Sequence, residues 1–344
     1  VQACERGDPQ PIRMPAGVET TGRRDYAPDG VVAHAFTARG RDFVRGKLGP
    51  RRIVIAGSCD GGSNPQAAGL ILIEARDVVA ADAGHLLTDS RYDLQAREAA
   101  PGFAVSCYTK SLYAALPDFF SRIAARRVGF ESARLSVKHH RDLLDRLQKA
   151  DQQVELIPTD NAVESLRAVK DPQEQALTRR AVRCAETAFR QLTAWMQPGM
   201  TELAVARQLE ALMVAAGAEG PSFPIIVAAG PNSAKPHAVP GNRPIAAGEP
   251  ILMDWGARVD GYCSDMSRTL IFGPADDRFR QVYTVVREAQ AAALATIRAG
   301  AHGRAVDAVA RDVIARAGSE GSFGHSLGHG TGLVVHEAPR LSPH

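Results

Sequence analysis

Two aspartates and four histidines in the second half of the chain have types and spacings suited to hydrolytic or metal chemistry. Asp254 and Asp265 stand eleven residues apart in DWGARVDGYCSDMSRT. Between them, Asp260-Gly261 separates two apolar strands and is a strong hairpin signal. The two acids therefore fall on opposite arms of a hairpin, where a fold can bring them side by side. Met253 and Trp255 flank Asp254 on a strand that otherwise reads as core. An acid in such a run is costly unless it is paired or bound to a metal. Two carboxylates in contact repel each other, and a divalent cation removes that repulsion. For an arbitrary pair of aspartates the ordinary explanation is an edge-strand acid and a turn acid. The apolar setting argues against it, although spacing alone does not defeat it.

His325, His329 and His336 lie within twelve residues in FGHSLGHGTGLVVHEAP, with Gly324, Gly328, Gly330 and Gly332 around them. Glycines let the backbone pass close to a bound group. His237 stands in GPNSAKPHAVP, a turn-rich loop before the first aspartate. Imidazole is a common metal ligand and can also donate hydrogen bonds to a developing oxyanion. His34, His85, His139, His140, His302 and His344 read as ordinary core or surface histidines.

The elements that must position these groups follow from periodicity. Short apolar runs at 52–56 (RIVIA) and 69–73 (GLILI), HLLTDSRY at 85–92 and RVGF at 127–130 predict strands. Residues 112–126 show helical spacing. Strand–helix alternation over about 50–157 predicts a small α/β domain. The stretch from Val163 to Met200 predicts a long amphipathic helix, with Asp171 as N-cap and Pro172 at its first position. Its apolar stripe is Ala181, Ala185, Ala188, Leu192 and Trp195, and Pro198-Gly199 ends it. A second helix is expected from Thr201 to about Gly217. Strand-and-turn segments follow at 223–230, 249–273 and 322–339, with helices at about 276–298 and 303–317 separating the last two. The expected organisation is an unassigned N-terminal extension (1–50), an α/β domain (51–160) and an α+β domain (161–344).

Bulk properties set wider bounds. With 344 residues the chain is long enough for two domains with real cores. A formal net charge of +3, without long blocks of one sign, gives no reason to expect nucleic acid or an anionic membrane as partner. No apolar run reaches the length of a membrane span, and the N-terminus lacks a signal-type apolar core. Five scattered cysteines without a CxxC favour free thiols, so a cytoplasmic protein is expected.

The site residues together resemble the pita-bread metallopeptidase family, which includes methionine aminopeptidase, aminopeptidase P, prolidase and the non-peptidase creatinase. Family members share a DxG…GYxSDxxRT hairpin and a GHGxG…HE segment. Here these read Asp254-Trp-Gly256, Gly261-Tyr-Cys-Ser-Asp265-Met-Ser-Arg268-Thr269, and Gly328-His329-Gly330-Thr-Gly332 with His336-Glu337. The steps from His237 to Asp254, from His325 to His329 and from His329 to His336 agree as well. LLTDSRYDLQA (86–96) is similar to the signature of the N-terminal domain in the aminopeptidase P, prolidase and creatinase branch, and LRAVKDPQE (166–174) to the entry of their catalytic domain.

The resemblance implies a creatinase-like α/β domain followed by a pita-bread α+β catalytic domain. It implies two divalent metal ions, Mn²⁺ favoured over Co²⁺, Zn²⁺ or Fe²⁺. Asp254, Asp265 and His329 would be ligands, with Asp265 bridging. A hydroxide between the metals would hydrolyse an N-terminal Xaa-Pro bond or an Xaa-Pro dipeptide. His237 and His336 would stabilise substrate and tetrahedral intermediate, and His325 would line the pocket. The substrate would be a peptide with proline second, and the protein a homodimer. A creatinase-like hydrolase or lyase on the same fold, or a protein that binds without turnover, are the alternatives. One departure stands out. Relatives carry two further Glu ligands on strands tens of residues after the HE segment, whereas this sequence ends at His344, and Glu337 lies too close to His336 to be either. Three of five expected ligands are present, so the catalytic domain is expected to be incomplete at its C-terminus, as a fragment or truncated product.

Overall fold

The computed structural model describes residues 70–73 and 84–344. The expectations of an N-terminal extension over 1–50 and a strand over 52–56 lie outside the described residues. Those residues form two compact units, one ending at Val169 and one running from Lys170 to His344.

In the first unit, β1 (Leu70–Ile73) pairs antiparallel with β2 (Gly84–Thr88), which pairs parallel with β3 (Phe103–Cys107). A parallel pair, β4 (Arg127–Glu131) and β5 (Glu155–Thr159), follows. Parallel pairing needs crossovers. Helices α1 (Asp93–Ala99), α2 (Leu112–Arg122) and α3 (Val137–Lys149) lie between the strands in sequence, and α4 (Ala162–Arg167) ends the unit. Ser111 and Ser136 cap α2 and α3 by accepting backbone N–H groups of the first turn. The core joins Leu87, Leu116, Phe119, Phe120, Val128, Leu143 and Leu147. This is the α/β domain expected from the alternation.

The second unit opens with α5 (Pro172–Trp195). Asp171 accepts hydrogen bonds from Gln173 and Glu174 N–H, while the Glu174 carboxylate accepts from Asp171 N–H, a full capping box. The long helix expected from 163 is in fact two, because Pro172 cannot continue a helix from α4 and the chain between them is extended at Asp171. Ala181, Ala185, Ala188 and Leu192 are fully buried as expected, but Trp195 is 39% exposed and Met196 turns inward instead. The helix ends at Trp195, so its period no longer directs the next side chain. Helix α6 (Glu202–Ala215) follows, capped by Thr201.

These helices cover one face of an antiparallel sheet. β7 (Ile226–Ala229), β8 (Pro250–Trp255) and β11 (Met266–Ile271) pair in the order β11-β8-β7, while β9 (Ala257–Val259) and β10 (Tyr262–Cys263) extend the β8–β11 hairpin and β6 (Gly220–Pro221) pairs with β9. Alternation sorts the faces. Val227, Ala229, Ile251, Met253 and Trp255 point into the core with α5 and α6. Each such large side chain contributes about 1.5–3 kcal/mol by leaving water. The hairpin turns at Asp260 (φ 47°) and Gly261 (φ 79°), both left-handed as a two-residue type I′ turn requires. One register runs the length of the hairpin, from Trp255 opposite Met266 to Val259 opposite Tyr262. At Gly256 the strand passes so close to the Ser264 carbonyl and Ser222 Oγ that a Cβ would overlap both.

Helices α7 (Asp277–Leu294) and α8 (Gly303–Arg316) pack on each other through Ala289, Ala293, Val306 and Ala310. The strand pair β12 (Gly328–Gly330) and β13 (Glu337–Leu341) closes the described chain. Among the described residues, no helix is long and apolar enough to cross a membrane, and Cys107, Cys184 and Cys263 are free thiols.

Candidate active site

Asp254 pairs across the hairpin with Ser267. Asp265 lies two residues before Ser267, so the two aspartates are diagonal neighbours on one face, within reach of each other's side chains. That face is the one turned away from α5 and α6, and it also carries the apolar cluster of Ile226, Ala228, Ala238 and Leu252. Ser267 Oγ donates to Asp254 Oδ1 at 2.9 Å. Burial pushes the Asp254 carboxyl above the usual aspartate range; the Ser267 hydrogen bond opposes this, and the Asp265 charge adds to it.

His329, on β12, meets this face from the other end of the sequence. Its Nε2 lies 3.3 Å from Asp265 Oδ2, and its Nδ1 lies 3.1 Å from the Gly330 carbonyl. The Asp265 contact raises the His329 pKa, with burial opposing. The His336 ring lies 4.3 Å from that of His329, tilted by 54°. Burial lowers the His336 pKa, and the neighbouring His329 charge lowers it further. Two links hold this segment to the hairpin and to the start of α5. Cys263 N–H donates to the Gly332 carbonyl at 2.7 Å, and Lys170 Nζ donates to Glu337 Oε2 at 2.7 Å. Beside them, Tyr262 Oη donates at 2.8 Å to Glu174 of the capping box.

His237 is exposed on the loop between β7 and β8, in electrostatic reach of Asp254 and His336. His325 is held differently. Arg311 on α8, paired with the buried Asp307, donates to its backbone carbonyl at 2.6 Å, and its ring sits edge-on to Phe323. Among the described residues, no hydrogen bond or ring contact joins the His325 side chain to Asp254, Asp265, His329 or His336. Ser267, Lys170, Glu337 and Glu202 are supporting groups that the sequence alone does not single out. Lys170 stands in the LRAVKDPQE segment and Ser267 in the hairpin motif, so both were in view. The partners of Glu202 lie too far along the chain for any local pattern to reveal.

Residues 176–344 match the model of metallopeptidase family M24, and residues 64–169 match that of the creatinase/prolidase N-terminal domain. The chain is 37% identical over 265 residues to the uncharacterized peptidase YqhT of Bacillus subtilis, covering 77% of this chain and 74% of that protein. It is 35% identical over 199 residues to an Xaa-Pro dipeptidase of Pyrococcus horikoshii, covering 58% of this chain and 57% of that one. Among solved structures it is similar to an Xaa-Pro dipeptidase from Bacillus anthracis, with a TM-score of 0.78, 32% identity, and coverage of 88% of this chain and 84% of that one. It is also similar to a prolidase from Pyrococcus furiosus, with a TM-score of 0.72, 28% identity and coverage of 85% and 83%. The two units are thus a creatinase-type N-terminal domain and a pita-bread catalytic domain, and the chain belongs to metallopeptidase family M24, a family of enzymes that use divalent metal ions.

Proposed function

We propose that this protein hydrolyses peptides with proline in the second position, as an Xaa-Pro dipeptidase or aminopeptidase. The observation that carries this is the convergence of Asp265 and His329, which lie far apart in sequence, beside Asp254 on one sheet face. The similarity to Xaa-Pro dipeptidases supports the substrate class.

The donor set fits divalent cations. The Gly330 carbonyl can only accept, so His329 Nδ1 carries the proton of the neutral ring. The Nε2 lone pair then faces a carboxylate oxygen at 3.3 Å. Two lone pairs so placed repel unless a proton or a cation lies between them. Donors bound to one ion at about 2.0–2.2 Å stand about 3 Å apart, which matches. Among the described residues no group of three or more His, Cys, Asp or Glu gathers around a single point. Asp254, Asp265 and His329 are the residues that would hold the cations. Oxygen-rich ligands favour Mn²⁺.

When bound, such cations supply Lewis acidity, lowering the pKa of water and polarising a carbonyl. The remaining roles belong to the chain. Ser267 orients Asp254, and the Gly330 carbonyl fixes the His329 tautomer. His237 and His336 would donate hydrogen bonds to substrate and to a tetrahedral oxyanion. His325 is assigned the pocket wall. The test is hydrolysis of Xaa-Pro dipeptides and Xaa-Pro-initiated peptides with added Mn²⁺, compared with a chelated sample and with His329→Ala. Metal-dependent cleavage that His329→Ala lowers by at least about a hundredfold is expected. Cleavage that survives chelation, or turnover confined to substrates lacking a peptide bond, would overturn it in favour of creatinase-like chemistry.

A further inference from the structure

The loop from Gly230 to Glu249 joins β7 to β8 and carries His237. One side chain ties down both of its feet. Glu202, in the first turn of α6, is only 1% exposed. Its Oε1 accepts from Ala229 N–H at 2.8 Å, and its Oε2 accepts from Gly241 N–H at 3.1 Å. Asn232 Nδ2 donates to both oxygens, at 3.2 and 3.0 Å. The helix end also gives donors back. Glu202 N–H bonds the Arg243 carbonyl at 3.2 Å, and Leu203 N–H bonds the Gly241 carbonyl at 2.9 Å. These amides belong to the first turn of α6, where no intrahelical acceptor is available. A buried carboxylate is costly unless donors surround it, and every donor here comes from the feet of one loop. Arg243 adds a brace, bonding the Ala229 carbonyl and making a two-pronged ion pair with Glu249.

We propose that Glu202 is the positioning residue for His237: by closing residues 229–232 and 241–243 onto one carboxylate, it fixes where the imidazole stands beside Asp254. This rests on His237 acting on bound substrate. The carboxylate of Glu202 bonds to the loop and not to the reacting groups, so it would act through the loop. Its chemistry makes the proposal testable with a near-isosteric change. In Glu202→Gln, one of the two oxygens becomes an NH₂ group. Whichever way the amide turns, that NH₂ faces the N–H of Ala229 or of Gly241, and one backbone donor loses its acceptor.

The experiment compares wild type, Glu202→Gln, His237→Ala and the double variant. Amide hydrogen exchange is read over 229–243 and over the buried parts of α5 and α6, and kcat and KM are measured on an Xaa-Pro dipeptide with Mn²⁺. In Glu202→Gln, exchange over 229–243 should rise by about tenfold, as expected for one lost hydrogen bond, with α5 and α6 unchanged. kcat should fall by about tenfold or more with KM within about twofold, since the reacting groups are intact but misplaced. In the His237→Ala background the same change should lower kcat by less than about twofold, because effects through one residue do not add. Unchanged loop exchange overturns the proposal. So does exchange raised throughout the domain, which marks a purely structural role, or an equal kcat loss in both backgrounds. If wild type turns over no Xaa-Pro substrate, the functional proposal fails and the exchange data alone decide whether Glu202 holds the loop.

Discussion

Replacing Lys170 by Met removes one charge from the pair that fixes the residue next to His336. Lys170 Nζ and Glu337 Oε2 are 2.7 Å apart, and the two side chains are 15% and 7% exposed. Removing one partner from a buried pair costs about 3–5 kcal/mol, while an exposed pair contributes about 0.2–1 kcal/mol. This pair is mostly buried but keeps some water on the lysine side, and Glu337 Oε1 retains the Val334 N–H. Met preserves the apolar stem and deletes only the ammonium. The expected loss is therefore about 2–3 kcal/mol, or roughly 5–10 °C in Tm for a unit of this size. The assay is built into the chain. Both tryptophans, Trp195 and Trp255, lie in the unit that begins at Lys170. Trp255 is fully buried and stacks on Phe189 with 4.6 Å between ring centroids. Tryptophan fluorescence in urea thus follows that unit alone. Adding Glu337→Gln to Lys170→Met should recover part of the loss, because the carboxylate then no longer needs its cation. A loss below about 1 kcal/mol would place the pair among surface pairs and refute the reasoning. A double variant no better than Lys170→Met would show that a stranded charge was not the cause.

Three further outcomes are expected. Gly256→Ala should destabilise the same unit by about 1–3 kcal/mol or more in urea titration, because its Cβ overlaps a backbone carbonyl that cannot swing away; a neutral result would mean that the strand is free to shift there. Ser267→Ala should weaken Mn²⁺ binding by about tenfold or more in calorimetry through loss of the Asp254 hydrogen bond, and unchanged affinity would remove Asp254 from the ligand set. Glu249 is held below the usual glutamate range by Arg243. A depressed carboxyl stabilises the fold above its unfolded pKa and loses that contribution as pH falls through the folded value. Glu249→Gln should therefore lower the urea midpoint at pH 7 and narrow its gap from wild type as pH falls below about 4; a gap that stays constant with pH would contradict this.

The hairpin was legible because its signals are local. Asp260-Gly261 dictates the turn, alternation dictates the faces, and together they fix Asp254 opposite Ser267 and diagonal to Asp265. The N-cap at Asp171 was readable for the same reason. Where the chain leaves a regular element the pattern lost its force, so Met196 rather than Trp195 fills the core. The helix forecast from residue 163 overran the break before Pro172, since apolar periodicity carries on through a stop that only the backbone enforces. Long-range partnerships were the least legible. Nothing near Glu202 announces that Ala229, Asn232 and Gly241 will surround it, and nothing near Lys170 announces Glu337. Such contacts arise from tertiary closure, and a first-turn glutamate looks the same whether it faces water or holds a loop. His325 shows the converse: its motif is plain, but its contacts are with Phe323, Ser326 and Arg311 rather than with the carboxylates.

The tight closure of the hairpin next to Gly256 has a practical consequence for engineering. Ser264 bonds Ala257 through both its backbone N–H and its hydroxyl, locking the hairpin below its tip. Beyond it, Val259 and Tyr262 stay buried, while the turn itself is held by exposed contacts, Arg180 with Asp260 and the Gly261 N–H with Glu219, the ion pair contributing little. A peptide tag or fluorophore-bearing turn grafted at Asp260-Gly261 therefore leaves the phase of Asp254 and Asp265 untouched. The tip is a built-in insertion port, a few residues from the chemistry yet insulated from it.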